Sequence, residues 1–144
     1  EFYKQLGKNP IVLNKEVKGH VANRLQAALW REAFSLVEQG VCSAEDVDIA
    51  ITSGPGLRWA LFGPYINMQL ANQKGFKEAI HHLGPPMTEW WNDMQAFQHS
   101  EETTDLLETQ TNQLLTQYED IDLYQTRDKG LVDILKLRQQ LKLD

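Results

Sequence analysis

Apolar side chains recur at positions 21, 22, 25, 28, 29, 33, 36 and 37, which is the spacing of one helical face. The pattern predicts a long helix over Val21–Gln39, with Gly40 as the residue that ends it. Arg24, Arg31, Ser35 and Glu38 form its polar stripe. Asn23 shares a different stripe with Ala27, Trp30 and Phe34, so this amide is expected to lie buried on an otherwise apolar and aromatic face. A buried amide needs partners, because leaving it unbonded costs roughly 1–3 kcal/mol.

The rest of the chain reads mostly as helix. Ser43-Ala44-Glu45-Asp46 has the form of a capping box and predicts a short helix through Thr52, stopped by Gly54-Pro55-Gly56. Leu57–Phe62 reads as a loop or short turn rich in large side chains. Gly63-Pro64 opens a helix to about Asn72, with Pro64 in a first turn where its missing N–H costs nothing. Phe76–Leu83 predicts another helix, closed by Gly84-Pro85-Pro86, after which Thr88 is expected to cap a short one bearing Trp90, Trp91 and Met94. Ser100 begins a helix with Leu106, Leu107, Gln110, Leu114 and Leu115 on one face. Asp122 caps the last, with Leu131, Ile134, Leu135, Arg138 and Leu141 spaced along it. At the front, Glu1–Leu6 reads as a last helical turn ending at Gly7, and Pro10–Asn14 as a strand. A lone strand cannot satisfy its own backbone, so it needs partners elsewhere. The expectation is an all-α domain of six or seven helices with a strand stub.

Composition narrows the class. The 144 residues are 42% hydrophobic and 24% charged, enough for one domain with its own core. No apolar run approaches the length of a membrane span. A net charge of −6 argues against nucleic-acid binding, which needs clustered Lys and Arg. The single cysteine, Cys42, fits a reducing cytoplasm and is read as a small buried or half-buried thiol rather than a nucleophile.

No self-sufficient catalytic signature is present: no phosphate-binding glycine loop, no nucleophile elbow, no metal-ligand spacing. His81 and His82 are adjacent on a helix, point about 100° apart and do not chelate together. Glu101-Glu102 reads as first-turn charge favoured by the helix dipole. Two features stand above this background. One is Asn23. The other is the segment Gly54–Pro64, where glycines and prolines at both ends frame a guanidinium, Arg58, beside an indole, Trp59. Arginine suits bidentate carboxylate binding, and tryptophan is the best aromatic face for a quaternary ammonium. The bland alternative is a surface ion pair for Arg58 and a core role for Trp59.

These residues together resemble the C-terminal domain of the 3-hydroxyacyl-CoA dehydrogenase family. The resemblance rests on Leu6–Pro10, Lys15–Arg24, Ala44–Asp48 and the Gly54–Pro64 loop, and covers Leu6–Gly84. It implies a helical substrate-binding and dimerisation domain of the 6-phosphogluconate-dehydrogenase C-terminal type over residues 18–144. Residues 1–17 would then be the last helix and strand of an N-terminal Rossmann domain. Within the family, Gly54-Pro55-Gly56-Leu57-Arg58-Trp59-Ala60 looks most like the L-carnitine 3-dehydrogenases, with the lambda-crystallin-like L-gulonate dehydrogenases as near relatives.

The resemblance further implies an NAD-dependent 3-hydroxy acid dehydrogenase oxidising L-carnitine to 3-dehydrocarnitine, with NAD and the catalytic histidine both on the absent domain. Asn23 would stand beside the reacting hydroxyl, facing the absent domain, and so would have no complete set of partners within this chain. Arg58 would hold the carboxylate, and Trp59, Phe62 and Trp30, with Tyr65 in competition, are candidates for the wall facing the trimethylammonium. The chain alone would be inactive and bind no NAD or metal. Its partners would be the small-molecule substrate, its own Rossmann domain and a second copy, with no nucleic acid and no membrane. The alternatives are an L-gulonate or 3-hydroxyacyl-CoA dehydrogenase domain, or, from another class, a helical interaction module with no enzymatic parent.

Overall fold

The computed structural model describes residues 9–143, and all regular structure among them is helical. Helix α1 spans His20–Glu38, α2 Ala44–Thr52, α3 Pro55–Trp59, α4 Pro64–Leu70, α5 Phe76–Asp93, α6 Glu101–Leu115 and α7 Leu123–Gln140, with a 3₁₀ turn over Thr116–Tyr118. The expectation of an all-α domain therefore holds.

Local chemistry explains most boundaries. Helix α1 starts where Gly19 (φ 77°) takes the left-handed conformation that glycine adopts without penalty. His20 (φ 50°) follows it there, a geometry costly for a residue with a Cβ. The Ser43 capping box is formed: its hydroxyl accepts from Asp46 N–H at 3.1 Å and the Asp46 carboxylate accepts from Ser43 N–H at 3.1 Å. Ser100 and Thr103 make the same reciprocal pair at the start of α6. Asp122 caps α7 by accepting from Gln125 N–H at 2.9 Å. Two further joints link distant segments through glutamines. Gln69 Oε1 accepts from Phe76 N–H at 2.8 Å, closing the α4–α5 turn, and Gln110 Oε1 accepts from Ala44 N–H at 3.3 Å, tying α6 to the start of α2.

Four expectations are corrected. Residues 10–14 form no strand, because no described segment offers the neighbouring backbone that a strand requires. The helix expected before them, Glu1–Leu6, lies outside the described residues. The Leu57–Phe62 loop is in its first half a helix, since α3 begins at Pro55, whose fixed φ suits a first turn. Pro85 and Pro86 do not end a helix: α5 runs through both, and the Thr88 hydroxyl, far from capping, donates to Gly84 O at 2.9 Å. The clash that usually expels the residue before a proline involves its Cβ, and before Pro85 that residue is Gly84, which relieves the first of the two junctions. The carbonyls of His81 and His82 lose their helical donors, and both residues lie on the exposed side of the helix. Finally, Asn23 is exposed rather than buried. Val21, Leu25 and Trp30 are exposed along the same half of α1, so the apolar stripe there meets no element of the described chain.

Helices α1, α2 and α6 pack together, α4 pairs with α5, and α3 bridges the two groups. An edge-to-face contact between Phe34 and Phe97 (5.6 Å, 62°) ties α1 to the segment before α6. The interior is small. Among the described residues the buried hydrophobic ones are Val37 and Ala79, and the buried polar ones are Ser35 and Thr103. The chain exposes 12258 Å². A compact monomer of this mass would expose about 7,600 Å².

Candidate functional site

The segment from Gly54 to Asn67 is built by close backbone approach. A Cβ on Gly54 would collide with Ala50 O, and one on Gly56 would sit 2.7 Å from Ile51 O. Only glycine at these two positions lets α3 fold back onto the C-terminal end of α2. Pro55 starts the helix, and the chain closes on itself after one and a half turns. Leu61 N–H and Phe62 N–H both donate to Arg58 O, at 3.1 and 2.8 Å. Asn67, from α4, donates through Nδ2 to Phe62 O at 2.6 Å and Gly63 O at 3.1 Å. The result is a rigid turn that presents Arg58, Trp59 and Phe62 in sequence.

These three side chains line one cavity of about 680 Å³, with Leu61, Asn67 and Met68 among its other walls. Arg58 is exposed, and its guanidinium has no carboxylate or hydrogen-bond acceptor as a partner among the described residues. The surface ion pair that is its bland alternative is therefore not formed there. Trp59 is 45% exposed, too open for a core plug. A cation beside aromatic and aliphatic walls can bind a carboxylate while its neighbours receive an apolar or quaternary ammonium group.

The other sequence candidates lie elsewhere. Asn23 and Trp30 belong to α1 and do not line this cavity. The Asn23 amide has no hydrogen-bond partner among the described residues. Tyr65 stacks on Phe76 at 6.0 Å and lines a separate small apolar cavity. His81 pairs with Glu78 at 3.3 Å on an exposed face, and the described residues contain no cluster suited to a metal ion. Cys42 is half-buried, as read from its sequence context. Glu101 and Glu102 occupy the first turn of α6.

Asn67 and Arg138 were not among the sequence candidates. Asn67 follows a Gly-Pro pair by three residues, a side-chain capping position that local spacing could have flagged. Arg138 acts over 77 residues and carries no such local signal.

Residues 19–105 match the family described as 3-hydroxyacyl-CoA dehydrogenase, C-terminal domain. The chain belongs to the 3-hydroxyacyl-CoA dehydrogenase family, as that C-terminal domain. Among curated relatives it is 41% identical to a "3-hydroxyacyl-CoA dehydrogenase" of Gibberella moniliformis, over 97% of this chain and 45% of that protein. It is 37% identical to an "L-carnitine dehydrogenase" of Streptomyces coelicolor, over 97% of this chain and 44% of that protein. A Bacillus cereus "L-carnitine dehydrogenase" is 36% identical, with coverage of 97% and 43%. The chain thus spans less than half the length of these relatives.

Proposed function

We propose that this chain is the substrate-binding half of an NAD-dependent 3-hydroxy acid dehydrogenase that oxidises the C3 hydroxyl of L-carnitine. The observation that carries this is Arg58, a cation without a described partner, on the wall of a cavity it shares with Trp59 and Phe62. L-Carnitine carries a carboxylate and a trimethylammonium on either side of a secondary alcohol. In this reading Arg58 fixes the carboxylate and thereby the position of C3, while the aromatic walls accept the ammonium end. Asn23, on the exposed half of α1, holds the substrate oxygen and the general base at the interface with the rest of the enzyme.

The described residues do not build a dinucleotide site. They contain no strand, and no glycine-rich turn connects a strand to a helix. In this proposal NAD and the histidine base belong to the part of the relatives' length that this chain does not span, and the isolated chain is expected to be inactive. Membership of an enzyme family counts against a purely structural helical module.

The same proposal includes a homodimer. What supports it is the run of apolar side chains left exposed on the last helix. Leu131, Val132, Ile134, Leu135 and Leu141 are all exposed along α7 and its end. A cavity between α1 and α2 has apolar walls and encloses Glu32, whose Oε2 is buried without a partner.

A substrate panel on the full-length enzyme tests the assignment. L-Carnitine is expected to give the highest kcat/KM, above L-gulonate and a 3-hydroxyacyl-CoA, and a preference for either of the others would overturn it. Arg58→Ala should cost about tenfold to a hundredfold in kcat/KM on L-carnitine and little on its carboxamide, which lacks the charge. Asn23→Ala should lower kcat more than it raises KM, and an unchanged kcat would remove Asn23 from the reaction.

A further inference from the structure

The geometry points to Arg138 as a positioning residue for the carboxylate subsite, acting through the turn that carries Arg58. This rests on the reading of Arg58 as the carboxylate ligand. Arg138 lies near the end of α7, half-buried, and its Nη1 donates to Ala60 O at 3.0 Å and to Leu61 O at 2.8 Å. Its Nη2 donates to Leu143 O at 2.8 Å. With Asn67 on Phe62 O and Gly63 O, four consecutive carbonyls from 60 to 63 are held by two side chains from different helices.

That arrangement has a direction. The N–H groups of Leu61 and Phe62 turn inward to Arg58 O, and the carbonyls of Ala60 and Leu61 turn outward to Arg138. Rotating either peptide plane to break the outer bonds would also disturb the inner ones, which fix the Arg58 backbone. A guanidinium is suited to this, because its planar fork can serve two neighbouring carbonyls and a third group at once. Its charge makes these bonds stronger than neutral ones. Helix α7 makes no extensive helix–helix contact among the described residues, so this link is a principal tie between it and the substrate segment. The position of α7 is thereby transmitted to Arg58.

The test is a double-mutant cycle in the full-length enzyme, with L-carnitine and its carboxamide as paired substrates. Arg138→Gln is expected to raise KM for L-carnitine about tenfold with a smaller change in kcat, and to leave kcat/KM for the carboxamide within about twofold. Arg138→Lys, which keeps a charged donor but not the fork, should recover part of the loss, and it carries the test alone if the glutamine variant does not fold. In an Arg58→Ala background, replacing Arg138 should have little further effect on L-carnitine, because both act through one subsite.

Equal losses on the two substrates, or full additivity with Arg58→Ala, would make Arg138 a general stabilising residue and overturn the proposal. If Arg58→Ala discriminates between the substrates and Arg138→Gln does not, the Arg138 assignment falls while the carboxylate reading stands. If Arg58→Ala fails to discriminate, both fall.

Discussion

Asp46 shows how much one side chain can report. Its carboxylate accepts from the Ser43 hydroxyl at 2.6 Å and from Ser43 N–H at 3.1 Å, and these bonds, the hydroxyl first, hold its pKa below the usual carboxylate value. A folded pKa that is depressed means the unfolded chain takes up its proton first as pH falls. The contribution of the cap is complete above the unfolded pKa and disappears as pH drops through the folded one. Asp46→Asn should therefore flatten the acid limb of a Tm-against-pH curve, and an unchanged limb would show that the ionised Asp46 carboxylate contributes nothing to stability. Ser43-Ala44-Glu45-Asp46 was legible because a capping box is contained in four residues. Asn23 was legible as an unusual residue, and the family resemblance gave it an incomplete set of partners in this chain, as found among the described residues; periodicity alone points to burial. Periodicity tells which residues share a face, and says nothing about whether another element covers it.

Among the elements, the errors cluster at glycine and proline. Both act as breakers in an isolated peptide, and the structure uses them as spacers. At 54 and 56 the missing Cβ lets α3 approach the carbonyl end of α2, and at 84 it eases the helix into the first of two prolines. Which of these roles applies depends on what lies nearby in space, so local sequence could not decide it. Gly56→Ala should destabilise the protein by about 1–3 kcal/mol, since its Cβ would press on Ile51 O, a backbone atom that cannot swing aside. Gly130→Ala is the control. Gly130 lies inside α7, where an added Cβ meets nothing within 4 Å, so alanine should gain up to about 1 kcal/mol from helix propensity. Thermal melts of the two variants should move in opposite directions, and a shared sign would count against the close-approach argument. Arg138 was the least legible of all, because a bond spanning 77 residues leaves no trace in spacing.

At the scale of the whole molecule, the all-helical class followed from periodicity, and the openness did not. The apolar positions that suggested a core are real, yet Leu131, Ile134 and Leu135 on α7 face outward. An assembly that covers them should be obligate in character, with an interface of roughly 2,000 Å² or more. Full-length protein is expected to sediment as a dimer at micromolar concentration, and Leu131→Lys with Leu135→Lys should shift it toward monomer. A wild-type protein that stays monomeric would remove the dimer from the proposal. The exposed α1 and α7 faces also bear on how the molecule is made. Were these faces left uncovered in the full-length protein, they would offer chaperones and proteases the feature by which those recognise unfolded chains. On the proposed reading assembly has a deadline: the covering surfaces must arrive during or soon after synthesis, and a shortfall of the partner copy should be felt first as degradation rather than as lost catalysis.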